Sequence, residues 1–381
     1  MAHDSSILIG GDCGPAHGAR EGFPIEGYTE LIAPVLARAD FRFVNCMRTY
    51  SSRGVSSEQA RQVGQPLEMA DIFSNGRFDA VTMANNHSYD SGPDAMIDTR
   101  VLLESRGIQV TGAGRDLGEA RKPAVIERNG VRVGYLGYTS VGHPEGTAGP
   151  GKPGVMNLRV KTSYDTRGPH QPVRIRTEPH ADDLAMLVDD VQALRRNSDV
   201  VILAFHSGVI RLPRVVSDYQ VTVAHAAIDA GADLVVCHAP HIPKAIEVYK
   251  GKTIFYSLGV FSMTKPFAAP SWNEPAWMHG SVRNHTDLDP AYPFMPYGEA
   301  STLSLLAKVQ VSDRRVSKVS FLPMSFDSKY RPEVLRQQDP RFPKILAYMQ
   351  WVSEDMPHLF TVEGDEVVVS ELNQSSRAAT A

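Results

Sequence analysis

The sequence of 381 residues lacks a long hydrophobic run, has few cysteines and carries almost no excess charge of one sign. The apolar run at residues 7–10 is too short for a signal peptide or a membrane span, so we expect a cytoplasmic protein with no membrane partner. A net charge of −4 gives no indication of a nucleic-acid partner, so we expect none. The odd set of three cysteines, Cys13, Cys46 and Cys237, argues against a disulfide framework.

Short apolar runs alternate with helical patterns, which predicts βαβ units and an α/β fold. We predict strands at residues 6–11, 41–45, 78–83, 109–111, 200–204 and 232–236, and helices at residues 28–38, 67–74, 94–104, 182–195 and 344–352. We predict hairpins at residues 124–136, 245–256 and 301–323, and an edge strand at residues 363–369.

The composition suggests how the chain divides. We expect one domain over residues 1–330, a helix and edge strand over residues 331–372, and a disordered tail over residues 373–381. Residues 141–180 have no helical period. They are long for a linker, so we expect an ordered insertion that runs past the active-site face. Residues 265–299 are rich in aromatics and prolines, which indicates either a lid or a surface loop packed on itself.

The most informative segment is residues 84–92, Ala-Asn-Asn-His-Ser-Tyr-Asp-Ser-Gly, which follows a predicted strand. Open α/β sheets bind ligands at the carboxyl ends of their strands. His206 follows another predicted strand, and His238 and His241 follow a third. Polar residues of this kind at three strand ends predict one shared metal centre.

The predicted metal ligands are one carboxylate, one amide oxygen and three imidazoles: Asp12, Asn86, His206, His238 and His241. This set suits manganese, zinc or iron better than magnesium or calcium. A divalent metal there would activate water and stabilise a developing oxyanion. Taken singly, Asp12 could cap a helix, and each histidine could be structural.

The same loop supplies a candidate acid or base. We expect His87 to donate a proton during catalysis and Asp90 to orient its imidazole. Asp90 could instead cap the following helix.

Several segments together resemble the CapA family, which is named for poly-γ-glutamate capsule synthesis. They are residues 11–12 (Gly-Asp), 84–92, 205–208 (Phe-His-Ser-Gly), 231–236 (Gly-Ala-Asp-Leu-Val-Val) and 246–259. The resemblance covers roughly residues 6–262. It implies a four-layer α/β/β/α sandwich of the metallophosphatase type, with the metal at the five ligands named above and His87 as the acid.

The chain departs from the family pattern at positions that bear on the metal. Met47 stands where the family usually has a carboxylate, and Ala239 stands where it has a further histidine. Because a second metal needs a full ligand set, we expect about one metal ion per chain. Arg48, beside Met47, is a candidate substrate contact.

The aromatic segment supplies further candidates. We expect Trp272, Trp277 and His279 to contact the substrate and His285 to take part in catalysis, since aromatic walls bind apolar or peptidic groups and exclude water.

These features favour a metal-dependent hydrolase of a phosphoester or an amide bond, with a peptide or a phosphorylated small molecule as substrate. A second reading is a metal-dependent peptide epimerase of ribosomal (lasso) peptide maturation, because some CapA-like proteins have that activity. A third is a capsule biosynthesis protein or a binding protein with a degraded site.

Overall fold

A computed structural model describes residues 4–15, 25–53, 64–166, 168–263 and 299–372. The strands are β1 Ser5–Gly14, β2 Phe41–Cys46, β3 Ala80–Thr82, β4 Gln109–Thr111, β5 Ala113–Gly114, β6 Ala124–Arg128, β7 Val131–Thr139, β8 Gly154–Val155, β9 Val160–Asp165, β10 Arg174–Pro179, β11 Val200–His206, β12 Leu234–His238, β13 Ile246–Tyr249, β14 Lys252–Phe255, β15 Val260–Met263, β16 Ser304–Ser312, β17 Arg315–Phe326, β18 Pro332–Val334, β19 Leu359–Glu363 and β20 Glu366–Ser370. The helices are α1 Ala33–Leu36, α2 Asp71–Asn75, α3 Gly92–Ser105, α4 Leu117–Ala120, α5 Ala181–Arg195, α6 Asp218–Ala230 and α7 Phe342–Ser353.

Most strands belong to two sheets. The ten-stranded sheet has the order β19-β20-β17-β16-β1-β2-β3-β4, with β15 paired to β1 and β18 paired to β17. The six-stranded sheet has the order β13-β14-β12-β11-β7-β6. The pairs β1–β2, β2–β3, β3–β4, β7–β11 and β11–β12 are parallel, so their carboxyl ends point the same way within each sheet.

The two sheets pack against each other through one hydrophobic cluster. Ile9 and Phe43 from the ten-stranded sheet join Tyr135 and Ile202 from the six-stranded sheet in that cluster. The rings of Phe43 and Tyr135 stack with centroids 4.6 Å apart. Burying each large apolar side chain contributes about 1.5–3 kcal/mol, so this layer stabilises the position of one sheet on the other.

Helices cover the outer side of each sheet. Met96 and Leu103 of α3 join the outer cluster of the ten-stranded sheet. Leu187 of α5 and Val223 of α6 join the outer cluster of the six-stranded sheet. The α/β class predicted from the sequence is therefore confirmed.

Local sequence explains the bounds of α6. Ser217 and Gln220 form a capping box at its beginning, and Gly231 ends it with φ +117°. Capping satisfies amide groups that have no partner inside the helix, and glycine adopts a positive φ without steric cost.

Three predicted elements differ from the observed ones. The predicted helix 28–38 is a short 3-10 turn, Ile25–Thr29, followed by the four-residue helix α1, and the predicted helix 67–74 is a 3-10 turn, Leu67–Ala70, followed by α2. The predicted edge strand 363–369 corresponds to β20, which Gly364 (φ +62°) joins to the unpredicted strand β19. The edge strand is β19, whereas β20 pairs with both β19 and β17.

The segment expected as an insertion, residues 141–180, contains β8, β9 and β10. Gly146 lies against the side chain of Tyr89, in the loop that carries Asn86 and His87. The described part of the segment therefore passes beside that loop.

The tail 373–381 and nearly all of the aromatic segment 265–299 lie outside the described residues. The three cysteines are buried free thiols. Within the described ranges, no helix combines the length and apolar composition that a membrane crossing requires.

Candidate metal centre

Asp12 lies at the centre of the candidate site and is fully buried. The register of β1 shifts at Asp12 against both β2 and β15, and the Asp12 amide donates to the Gly259 carbonyl at 3.0 Å. A Cβ at Gly11 would lie 2.1 Å from that carbonyl oxygen. Only glycine therefore allows this close approach, which explains the Gly-Asp pair. Asp12 continues a strand and caps no helix.

The carboxylate of Asp12 contacts residues from both sheets. Its Oδ2 lies 2.8 Å from His241 Nδ1 and accepts a hydrogen bond from the Ala239 amide at 3.3 Å. Its Oδ1 accepts a hydrogen bond from Asn45 Nδ2 at 2.8 Å. Ala239 and His241 have φ values of +96° and +59°, which are uncommon for residues with a side chain. The turn after β12 therefore adopts a strained conformation that directs two of its groups to Asp12.

His206 extends this network. Its Nδ1 lies 3.1 Å from Asn45 Nδ2, and its Nε2 lies 2.9 Å from Asn86 Oδ1. Asn45 Nδ2 also donates to Asp12, and Asn45 Oδ1 accepts from Asn85 Nδ2 at 3.0 Å, which together set the orientation of the Asn45 amide. We therefore assign His206 the tautomer in which Nδ1 accepts and Nε2–H donates.

His87 is the partly exposed member of the group. Its Nδ1 lies 2.7 Å from Asp90 Oδ2, and the two side chains are 22% and 13% exposed. Its amide donates to Asn85 Oδ1 at 2.9 Å, and its Nε2 lies 3.3 Å from Asn86 Nδ2. The N-cap of α3 is Ser91, so Asp90 orients His87 rather than capping that helix. The imidazole is held in place and still reaches solvent.

His238 has the least complete hydrogen bonding of the three predicted imidazole ligands. It is buried, and its Nε2 lies 3.4 Å from the Gly10 carbonyl oxygen. That contact makes Nε2 the protonated nitrogen, so Nδ1 carries a lone pair. Nδ1 is buried and has no hydrogen-bond partner. A buried lone pair of this kind is suited to ligate a metal.

Burial sets the charge of the site. It lowers the pKa of His206 to about 3 and also lowers the pKa values of His238 and His241. The three imidazoles are therefore neutral near pH 7, which is the form that binds metals. Burial is the largest single influence on Asp12 and would raise its pKa, but the hydrogen bond to His241 and the electrostatic interactions with His241, His206 and His238 together lower the pKa well below its usual range. Asp12 is therefore ionised.

The donor chemistry fits a divalent metal, since it combines one ionised carboxylate, amide oxygens, neutral imidazoles and one unused lone pair. In the described part of the chain, however, no three His, Cys, Asp or Glu side chains are arranged closely enough to hold an ion. Asp12 and His241 are hydrogen-bonded directly to each other. His206 and Asn86 are likewise hydrogen-bonded to each other. Metal binding would have to replace both hydrogen bonds with ligation.

Two amides beside the site were missed in the sequence. Asn45 lies between Asp12 and His206, and Asn85 holds both the Asn45 amide and the His87 backbone. Asn45 could have been found, because it lies at the end of β2 in a parallel sheet, as Asn86 follows β3.

Met47 and Arg48 lie in the turn after β2, next to Gly14. Both are buried, and Arg48 Nε lies 3.5 Å from the Gly14 carbonyl oxygen. The structure thus places an apolar thioether at position 47, where the family pattern has a carboxylate. The predicted contact of Arg48 with substrate stays a prediction.

Four predicted residues lie outside the described part of the chain. They are the substrate-binding candidates Trp272, Trp277 and His279 and the catalytic candidate His285. Their roles stay predictions.

Comparison with known proteins matches residues 6–264 to the family described as bacterial capsule synthesis protein PGA_cap. The PGA biosynthesis protein CapA of Bacillus subtilis is 28% identical over 236 residues, which cover 61% of this chain and 55% of that protein. A probable polyglutamine synthesis accessory protein of Mycobacterium tuberculosis is 36% identical over 182 residues, covering 46% and 43%. The chain thus spans about half the length of these relatives.

Among solved structures, the calcineurin-like phosphoesterase YfkN of Bacillus subtilis is similar, with a TM-score of 0.40 and 12% identity. The match covers 84% of this chain and 90% of that one. A likeness of this extent carries no argument about function.

Proposed function

The chain belongs to the bacterial capsule synthesis protein PGA_cap family, and from this premise we propose that it is a metal-dependent hydrolase of a phosphoester or an amide bond. The proposed ligands are Asp12, Asn86, His206, His238 and His241. A divalent metal held there supplies a Lewis acid that polarises the bond to be cleaved. Manganese, zinc and iron suit these nitrogen and oxygen donors best.

One observation carries the proposal: a partly exposed histidine–carboxylate pair is joined to the buried donors. His87 is held by Asp90 at 2.7 Å, and Asn86, next to it in sequence, contacts His206 at 2.9 Å. Asp90 accepts a hydrogen bond from Nδ1–H and fixes the orientation of the imidazole. We propose that Nε2, which lies 3.3 Å from Asn86 Nδ2, exchanges that contact for a leaving group at the edge of the site and donates a proton to it.

The names of the relatives indicate the polymer in whose synthesis this activity could take part. They are named for biosynthesis of PGA and for polyglutamine synthesis. We propose a peptide or a phosphorylated small molecule as substrate, in an accessory role in making such a polymer. We further propose that the protein acts in the cytoplasm without a membrane or nucleic-acid partner.

The test is to load the purified protein with Mn²⁺, Zn²⁺ or Fe²⁺ and assay it against peptide and phosphoester libraries in ¹⁸O-labelled water. Hydrolysis places the label in one product and requires His87, so His87→Asn is the matched control. The same incubation in deuterated water detects the alternative reaction. Deuterium uptake at carbon with no bond cleaved would replace the proposal with an epimerase.

A further inference from the structure

Lys244 is a buried amine that the proposed reaction does not use. Its side chain is fully buried, and Nζ donates hydrogen bonds to the Val209 carbonyl at 2.7 Å and the Val215 carbonyl at 2.6 Å. Burying an amine is costly unless its hydrogen bonds are made. These two hydrogen bonds connect Lys244, which follows the turn at residues 238–241, to both ends of the segment 209–215. A neutral amine retains two N–H groups, so the contacts do not depend on its charge.

Residues 209–215 follow His206 and carry Arg211. The Arg211 amide donates to the Pro240 carbonyl at 3.1 Å, and Arg211 has φ +58°. Pro240 directly precedes the proposed ligand His241. The segment is therefore held at both ends by Lys244 and at its centre by the turn that contributes to the metal centre.

Arg211 lies beside that centre, because its backbone amide contacts Pro240, one residue before His241. Arg211 is also half-buried, so it can meet a ligand that enters beside His241.

Arg214, three residues further on, has different partners. Its guanidinium pairs with Glu354 at 3.0 Å and with Asp355 at 2.5 Å, just beyond α7. It also lies over the Trp351 ring, 6.0 Å from the centroid. Arg214 is therefore a suitable control for Arg211, because it lies in the same segment but contacts residues in and just beyond α7.

We propose that Arg211 binds an anionic group of the substrate, a carboxylate or a phosphate, and that Lys244 is the residue that positions Arg211 for this contact. The proposal rests on the proposed function, because it assumes that substrate enters beside His241. Guanidinium binds both kinds of anion through paired hydrogen bonds.

The first test is calorimetric binding of inorganic phosphate and of glutarate to the purified, metal-loaded protein. We expect Arg211→Gln to weaken binding of the preferred anion about tenfold or more, since hydrogen bonds to charged groups contribute at that level. The anion that binds more tightly shows whether the substrate group is a phosphate or a carboxylate. Arg214→Gln should bind like the wild type. Equal affinities of Arg211→Gln and wild type, or no binding of either anion by the wild type, would overturn the proposal.

The second test is limited digestion with trypsin, which cleaves after arginine and lysine. We expect Lys244→Met to be cleaved faster after Arg211 and to bind the anion more weakly, whereas the exposed control Lys250→Met should keep the wild-type rate of cleavage after Arg211 and the wild-type anion affinity. Lys244→Gln, which keeps two N–H donors on a shorter side chain, serves if Lys244→Met does not fold. Wild-type cleavage and anion binding in the folded variant would overturn the positioning role.

These readouts separate two kinds of failure. Anion affinity and cleavage rate do not require turnover, whereas the proposed function is tested by product formation and by His87→Asn. Loss of anion binding in Arg211→Gln without any hydrolysis by the wild type would support the binding site and overturn the hydrolase.

Discussion

Besides the buried His241–Asp12 contact, two partly exposed histidines in the described part of the chain are each hydrogen-bonded to a carboxylate. His87 and Asp90 meet in the loop between β3 and α3 at 2.7 Å. His225 of α6 and Glu247 of β13 meet at 2.9 Å. The distances and the partial exposure of the histidines are similar, so the contact alone does not distinguish a catalytic pair from a structural one.

The neighbours of each pair distinguish them. Glu247 also accepts a hydrogen bond from the Tyr256 hydroxyl at 2.6 Å, and His225 stacks on Tyr249 with ring centroids 3.7 Å apart. Burial raises the pKa of Tyr256 well above its usual range, so its hydroxyl remains a donor. Both carboxylate oxygens of Glu247 are thus engaged locally.

The His87 pair instead continues into the buried donors. Asn86 lies between His87 and His206, and Asn45 then joins His206 to Asp12. The candidate site therefore differs from the His225–Glu247 pair in one respect: its histidine is linked by hydrogen bonds to polar groups at the ends of several strands. A single histidine–carboxylate contact is insufficient evidence for it.

Removing the central carboxylate should have the largest effect. We expect Asp12→Asn to abolish turnover and to lower metal affinity by more than the factor of about 10–100 typical of residues that only support a ligand. Metal titration followed by equilibrium dialysis measures this change. Glu247→Gln, at the other pair, serves as the control and should bind metal normally. Unchanged metal affinity in Asp12→Asn would remove Asp12 from the ligand set.

Replacing the exposed imidazole should have the next largest effect. We expect His87→Asn to lower kcat by about 10²–10⁴-fold, the range for a positioned acid or base, with metal content and thermal unfolding unchanged. His225→Asn is the matched variant in the second pair and should retain wild-type kcat. If His87→Asn lost metal to the same extent as activity, His87 would be a metal ligand instead.

Weakening the partner of His87 should have a smaller effect. We expect Asp90→Asn to lower kcat by about 10–100-fold, because an amide holds the ring by a weaker hydrogen bond than a carboxylate does. Metal content and thermal unfolding, measured beside kcat, separate this role from a purely structural one, since only kcat should change. A wild-type kcat would show that Asp90 has no part in catalysis.

The second pair should affect stability alone. We expect Glu247→Gln to lower the free energy of unfolding by about 1–3 kcal/mol, because it weakens two hydrogen bonds in a buried setting. Urea denaturation measures this loss, and turnover should stay at the wild-type level. A large loss of activity without loss of stability would show that the second pair is also functional.

The placement of the candidate residues near strand ends could be predicted from short apolar runs. His206 and His238 end β11 and β12, Asp12 lies two residues before the end of β1, and Asn86 follows β3, so parallel strands bring them to one edge. His241 could be predicted as well, because it lies in the turn directly after β12. The α/β fold could be predicted for the same reason, from local periodicity.

The other contributors depend on contacts between residues distant in sequence. Lys244 is notable only because the fold buries it against carbonyls about 30 residues earlier in the chain. Arg211 gains a role only because its segment reaches the turn at Pro240. The strand predicted at residues 363–369 corresponds to β20, but β20 is not at the edge, because the unpredicted strand β19 pairs with it from residues 359–363.

The central claim is that the connected donors around Asp12 hold a divalent metal, and the most direct test is the metal content of the purified protein. Elemental analysis after loading and gel filtration should yield about one manganese, zinc or iron ion per chain, since Met47 cannot replace a carboxylate ligand for a second ion. Wild-type protein that retains no metal would contradict the account. Two tightly held ions per chain would contradict the single-metal assignment and show that another residue replaces the missing carboxylate.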